Sequence, residues 1–79
     1  MKENIAGNRI KAARLEKYAN KKRKLSQAAL AAQMELEGVE MSGRTLSYIE
    51  KGDRYVTDIE LVTFAKVLGK SVMWLLGED

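Results

Sequence analysis

The 79-residue chain is the length of one domain, and it holds neither cysteine nor histidine. That composition excludes a disulfide framework, a thiolate metal site, an imidazole ligand and the commonest general acid–base group. The formal charge of +3 is unevenly spread: residues 1–24 hold nine Lys/Arg against Glu3 and Glu16, whereas residues 25–79 hold five against nine Asp/Glu. One end of the molecule is therefore expected to meet a polyanion, the plainer alternative being a solvated lysine-rich surface. No apolar run approaches the roughly 20 residues of a membrane span. No apolar segment follows the opening Met-Lys-Glu-Asn to serve as a signal peptide, so a cytoplasmic protein is expected.

Proline is absent, and no stretch alternates apolar and polar residues as a half-buried strand would. Residues 4–18 carry Ile5, Ala6, Ile10 and Ala13 and read as an amphipathic first helix. Ala19, Asn20 and the run Lys21-Lys22-Arg23-Lys24 read as a loop. Ser26 caps a second helix over 27–37, with Leu25 and Leu30 placed to close a hydrophobic staple, and Gly38 stops it. Ser42, between Met41 and Leu46, opens a third helix over 43–51 that ends at Gly52. Thr57, between Val56 and Leu61, opens a fourth over 58–68, with Glu60 completing a capping box and Gly69 as the stop. Ser71 opens a short fifth helix over 72–76, closed by Gly77. The expected core is Ile5, Ile10, Leu30, Met34, Leu46, Ile49, Leu61, Ala65, Leu68, Val72 and Leu75.

The second and third helices are joined across Gly38 and Val39-Glu40-Met41. Two short helices about a tight glycine-containing turn have the form of a helix-turn-helix.

Five strings stand out in order along the chain: Arg9-Ile10-Lys11-Ala12-Ala13-Arg14, Leu25-Ser26-Gln27-Ala28-Ala29-Leu30-Ala31, Thr45-Leu46-Ser47-Tyr48-Ile49-Glu50-Lys51-Gly52, Leu61 through Gly69, and Ser71-Val72-Met73-Trp74-Leu75-Leu76-Gly77. In these strings and their order the chain resembles the Cro/repressor-type helix-turn-helix family of phage and bacterial regulators. The resemblance implies an all-α, compact five-helix bundle. It departs from the family in a longer connection centred on Asn20 to Lys24 and in the eleven positions that separate Ala31 from Ser42.

In such a domain the third helix lies in the major groove. The resemblance then puts Gly43, Arg44, Ser47 and Tyr48 at the bases, while Leu46 and Ile49, three apart, turn inward. Arg44 is the expected direct reader, because a guanidinium fork matches guanine O6 and N7. Gln27, Thr45, Lys51, Arg54 and, on the loop, Lys22, Arg23 and Lys24 are expected phosphate contacts, which fix register without reading sequence. Arg14 and Glu50 match a family pair that joins the first helix to the third. Met73, Trp74 and Leu76 make the last helix unusually apolar, and two readings stand: Trp74 closes the core, or the three form a dimer patch.

The implied function is sequence-specific regulation of transcription, as a repressor that binds duplex DNA as a homodimer on a two-fold operator. The second reading is a protein-interaction module, or an antitoxin-like component, that uses the same fold and its apolar tail to hold a protein. No nucleophile–base–orienter set, glycine-rich phosphate loop or metal-ligand spacing is visible, so no enzyme activity, metal, cofactor or small-molecule ligand is expected.

Overall fold

Five helices follow one another in the computed structural model, which describes residues 2–17 and 26–78: α1 (Gly7–Lys17), α2 (Gln27–Leu36), α3 (Gly43–Lys51), α4 (Asp58–Leu68) and α5 (Val72–Leu75). No strand occurs among the described residues. None of these helices is long and apolar enough to cross a membrane.

Local chemistry explains where the last four helices start. Each is preceded by an extended hydroxyl residue whose oxygen accepts the amide three residues on: Ser26 from Ala29 at 3.0 Å, Ser42 from Thr45 at 3.1 Å, Thr57 from Glu60 at 3.1 Å and Ser71 from Trp74 at 3.0 Å. At α4 the box is reciprocal, because the Thr57 amide donates to Glu60 Oε1 at 3.0 Å. The stops are equally local. Gly52 adopts φ +83°, which lets the Asp53 amide reach back to the Tyr48 carbonyl at 2.9 Å. Val39 to Met34, Lys70 to Ala65 and Glu78 to Met73 close α2, α4 and α5 in the same manner.

The core is a single cluster drawn from all five helices. Ile10, Leu30, Met34, Leu46, Ile49, Phe64 and Leu75 are fully buried, and Leu61, Val72 and Trp74 pack against them in part. Phe64 was absent from the expected core, although it falls between Leu61 and Leu68 at helical spacing. The longer turn between α2 and α3 is anchored by Met41, which is buried, and by the half-buried Val39.

The first helix departs from expectation. It begins at Gly7 rather than residue 4, and Ile5, expected in the core, is 71% exposed. Residues 2–5 instead form a strap over the end of α3. The Lys2 ammonium donates to the Lys51 carbonyl at 2.9 Å and the Glu3 amide to the Gly52 carbonyl at 2.7 Å. Asn4 Nδ2 donates to the carbonyls of Ile49 and Arg54 at 3.1 and 2.7 Å, while its Oδ1 accepts the Gly7 amide at 2.6 Å. The last carbonyls of a helix lack intrahelical partners, and here the strap supplies them. Asn4 is thereby committed outside the helix, which shifts the helix start and turns Ile5 outward.

Candidate nucleic-acid interface

The helix α3 has two faces of opposite character. Leu46 and Ile49 are fully buried and Glu50 is 5% exposed, whereas Arg44, Tyr48 and Lys51 stand in solvent and Ser47 is half-buried beside them. The Arg44 guanidinium and the Lys51 ammonium each lie 6.0 Å from the Tyr48 ring centroid, at the outer limit of cation–π attraction. One turn apart on one face, these side chains make a cationic row with an aromatic at its centre.

Behind that row lies a buried polar junction. Arg14 Nε donates to Glu50 Oε2 at 2.7 Å and Arg14 Nη2 to Oε1 at 2.8 Å, with both side chains almost wholly buried. Gln27, at the start of α2, donates to the same Oε1 at 3.0 Å. A single carboxylate thus joins α1, α2 and α3. Its neutralisation by Arg14 also removes a negative charge from beneath a surface that must attract phosphate.

A polar cleft opens over this junction. It is lined by Lys2 from the strap, Asn8 and Lys11 from α1, Gln27 from α2 and Ser47 and Lys51 from α3, with Glu50 at its base. Three lysines around a neutralised carboxylate suit an anion, and the amino end of α2 adds the partial positive charge of its first-turn amides. Lys2, Asn8 and Lys11 were not singled out in the sequence. Asn8 and Lys11 do stand three apart on α1, clear of the buried Ile10 and Ala13, but only the packing of α1 on α3 brings them beside Lys51.

Other expected contacts are placed differently. Gly43 lies against α2: a Cβ there would sit 3.5 Å from the Ala28 backbone, in ordinary contact. The Thr45 hydroxyl accepts from Ser42 Oγ at 3.0 Å and is half-buried. Arg54 does not point its fork outward; its two Nη atoms each donate to one Glu60 oxygen at 3.0 Å, and Nη1 also to the Tyr55 carbonyl at 2.9 Å. Burial pushes the Glu60 carboxyl up, but the Arg54 fork and the Thr57 amide outweigh it and hold it below the ordinary 4.5. The hydrogen bonds to Glu60 outweigh partial desolvation and raise the Arg54 guanidinium above its ordinary value. Lys22, Arg23 and Lys24 lie outside the described residues.

The apolar tail is less open than its sequence suggests. Met73 is 57% exposed, but Trp74 and Leu76 are half-buried. The Arg9 guanidinium and the Lys70 ammonium lie over the Trp74 ring, 4.7 and 4.6 Å from its centroid. The indole is packed on the core and covered by two cations.

Residues 10–75 match the family model described as helix-turn-helix. No curated protein matches the chain, and no solved structure does.

Proposed function

This chain belongs to the Cro/repressor-type helix-turn-helix family of DNA-binding domains, and we propose that it is a sequence-specific transcriptional repressor of the phage or bacterial kind, with α3 in the major groove. The observation that carries this reading is the division of α3. Its inner face is locked by Leu46, Ile49 and the Arg14–Glu50–Gln27 junction, while Arg44, Ser47, Tyr48 and Lys51 face outward beside a lysine-lined cleft. A short helix held rigidly from behind, with a cationic and hydrogen-bonding outer face, suits entry into a groove lined by phosphates.

In this reading Arg44 reads guanine and Tyr48 meets a thymine methyl or a phosphate, with Ser47 at the adjacent base. Gln27, Thr45 and Lys51 hold the backbone, joined by Lys2, Asn8 and Lys11 around the cleft. Gly43, which lies against α2 at ordinary contact distance, has no side chain to bring to a base. Arg54 is left out, because its fork serves Glu60. Two copies on a two-fold operator would place half-sites about one helical turn apart. The protein-partner alternative rested on an open apolar tail, and the two cations over Trp74 leave it little support.

The test is a fluorescence-anisotropy titration on random duplex DNA across salt concentrations. The expected result is non-specific binding in the micromolar range or weaker, falling steeply as salt rises, with tighter binding to sequences selected from a random library. Absence of binding to any duplex at low salt overturns the proposal.

A further inference from the structure

Helix α3 is held from behind in two ways that differ in stiffness. The Arg14–Glu50–Gln27 junction grips it through long side chains, whose several torsions can follow a small rotation of the helix without a bond being broken. Asn4 grips the backbone instead. Its short amide donates through Nδ2 to the carbonyls of Ile49 and Arg54 at 3.1 and 2.7 Å, and accepts the Gly7 amide through Oδ1 at 2.6 Å. One planar group thus ties the last turn of α3, the connection to α4 and the first turn of α1.

Each of these bonds ends on main chain, so none can be kept by rearranging a partner side chain if α3 turns. Space is equally restrictive there. A Cβ on Gly7 would collide with the Ile49 carbonyl, which is therefore fixed between the Asn4 amide and the bare backbone of α1. Tyr48 precedes Ile49 and Lys51 follows it by two positions, so the same bonds set the direction in which the outer face of α3 points. A binding constellation works only when held within about 0.5 Å and roughly 10–20° of its productive geometry.

We propose that Asn4 is a positioning residue: its amide sets the orientation of α3 relative to α1 and α4, and through it the specificity with which α3 reads duplex DNA. Asn4 touches no base in this role. The specificity half rests on the DNA-binding reading, whereas the orientation half does not.

The deciding variant is Asn4→Ser, which keeps an oxygen for the Gly7 amide and leaves the charge unchanged but removes both bonds to the carbonyls. Ser71→Ala, which removes the cap of α5, serves as a destabilised control. All measurements are made on the full chain at a temperature where circular dichroism shows each variant folded. Without DNA, residual dipolar couplings of α3 in Asn4→Ser should depart from the orientation that fits α2 and α4, and in Ser71→Ala they should not. With DNA, the preference of Asn4→Ser for a library-selected sequence over random duplex should fall about fivefold or more, the lower end of what one base contact carries. The slope of log affinity against log salt should stay constant, since no phosphate-facing charge is lost. Native α3 couplings in Asn4→Ser, an unchanged preference in a chain that binds DNA, or an equal loss in Ser71→Ala would each overturn the proposal. In the native chain, the Asn4 side-chain amide should show scalar couplings across its hydrogen bonds to both carbonyls. Their absence overturns the proposal even if Asn4→Ser fails to fold. If the native chain binds no duplex, the DNA-binding reading and the specificity half fall together, while the dipolar couplings still decide the orientation half.

Discussion

Arg14 and Glu50 are 36 positions apart and meet in a buried two-pronged pair, Nε to Oε2 at 2.7 Å and Nη2 to Oε1 at 2.8 Å. This contact determines how α3 is presented, because Glu50 also receives Gln27 and lies on the inner face of the helix whose outer face carries Arg44 and Tyr48. Such a pair adds little net stability when intact, but losing one partner strands a buried charge. Arg14→Ala is therefore expected to destabilise the fold by about 3–5 kcal/mol in urea unfolding. Replacing both residues with leucine should cost much less than the sum of the single changes. Additive losses would show that the two side chains do not act as a unit.

Gly7 and Gly43 each open a helix, yet they answer differently to the same substitution. A Cβ on Gly7 would collide with the Ile49 carbonyl and lie 3.1 Å from that of Glu50, both backbone atoms of α3. A Cβ on Gly43 meets Ala28 at ordinary contact distance. Gly7→Ala is expected to destabilise by about 1–3 kcal/mol through overpacking. Gly43→Ala should be neutral or slightly stabilising, since alanine is the better helix former. Equal thermal midpoints for the two variants would contradict the close packing of α1 on α3.

Glu60 confers a pH dependence of known sign. Its carboxyl is held below the ordinary 4.5 by Arg54 and the Thr57 amide, against the effect of burial. A depressed folded-state value means the contribution is fully present above 4.5 and is lost as pH falls below that value, through the lower folded one. The stability difference between the native chain and Glu60→Gln should accordingly shrink on acidification through this range. A difference that stays constant between neutral pH and the acid limb would show that the Arg54–Glu60 pair does not hold the ionised form.

Arg44 is expected to carry discrimination rather than folding. Arg44→Ala should lower the preference for a selected sequence over random duplex by about 1–3 kcal/mol, or roughly fivefold to more than a hundredfold. The far-ultraviolet circular dichroism and thermal midpoint should stay unchanged, since the side chain is exposed. An unaltered specificity ratio would mean that α3 sits in the groove with a different rotation.

Lys11 lies in the cleft with Lys2 and Lys51, and Lys17 bonds to the Val67 carbonyl at 2.7 Å near the other end of α1. If the cleft seats a backbone phosphate, Lys11→Gln should reduce the slope of log affinity against log salt by about 0.9. Lys17→Gln should leave it unchanged. Equal effects from both would point to diffuse charge in place of a seated phosphate.

Much of this architecture was legible in the chain itself. Ser26, Ser42, Thr57 and Ser71 begin their helices, and Gly38, Gly52, Gly69 and Gly77 take positive φ after the last turns. The inward face of α3 followed from the spacing of Leu46 and Ile49. The first helix begins three residues later than its apolar spacing suggests, because the Asn4 side chain serves three backbone groups, two of them more than forty positions away.

The sequence by itself therefore determined the starts of the last four helices, their ends to within one residue, and the polar face of Ser42 to Glu50, since a cap or a closing bond is decided among residues within one or two turns. Apart from the Arg14–Glu50 pair, which the family resemblance implied, tertiary structure alone decided what those elements touch. It assigned Arg54 to Glu60, covered Trp74 with Arg9 and Lys70, turned Ile5 outward and gathered Lys2, Asn8 and Lys11 beside Lys51. Each of these depends on how closely and at what angle helices distant in the chain pack, and neither a residue's identity nor its local spacing encodes that.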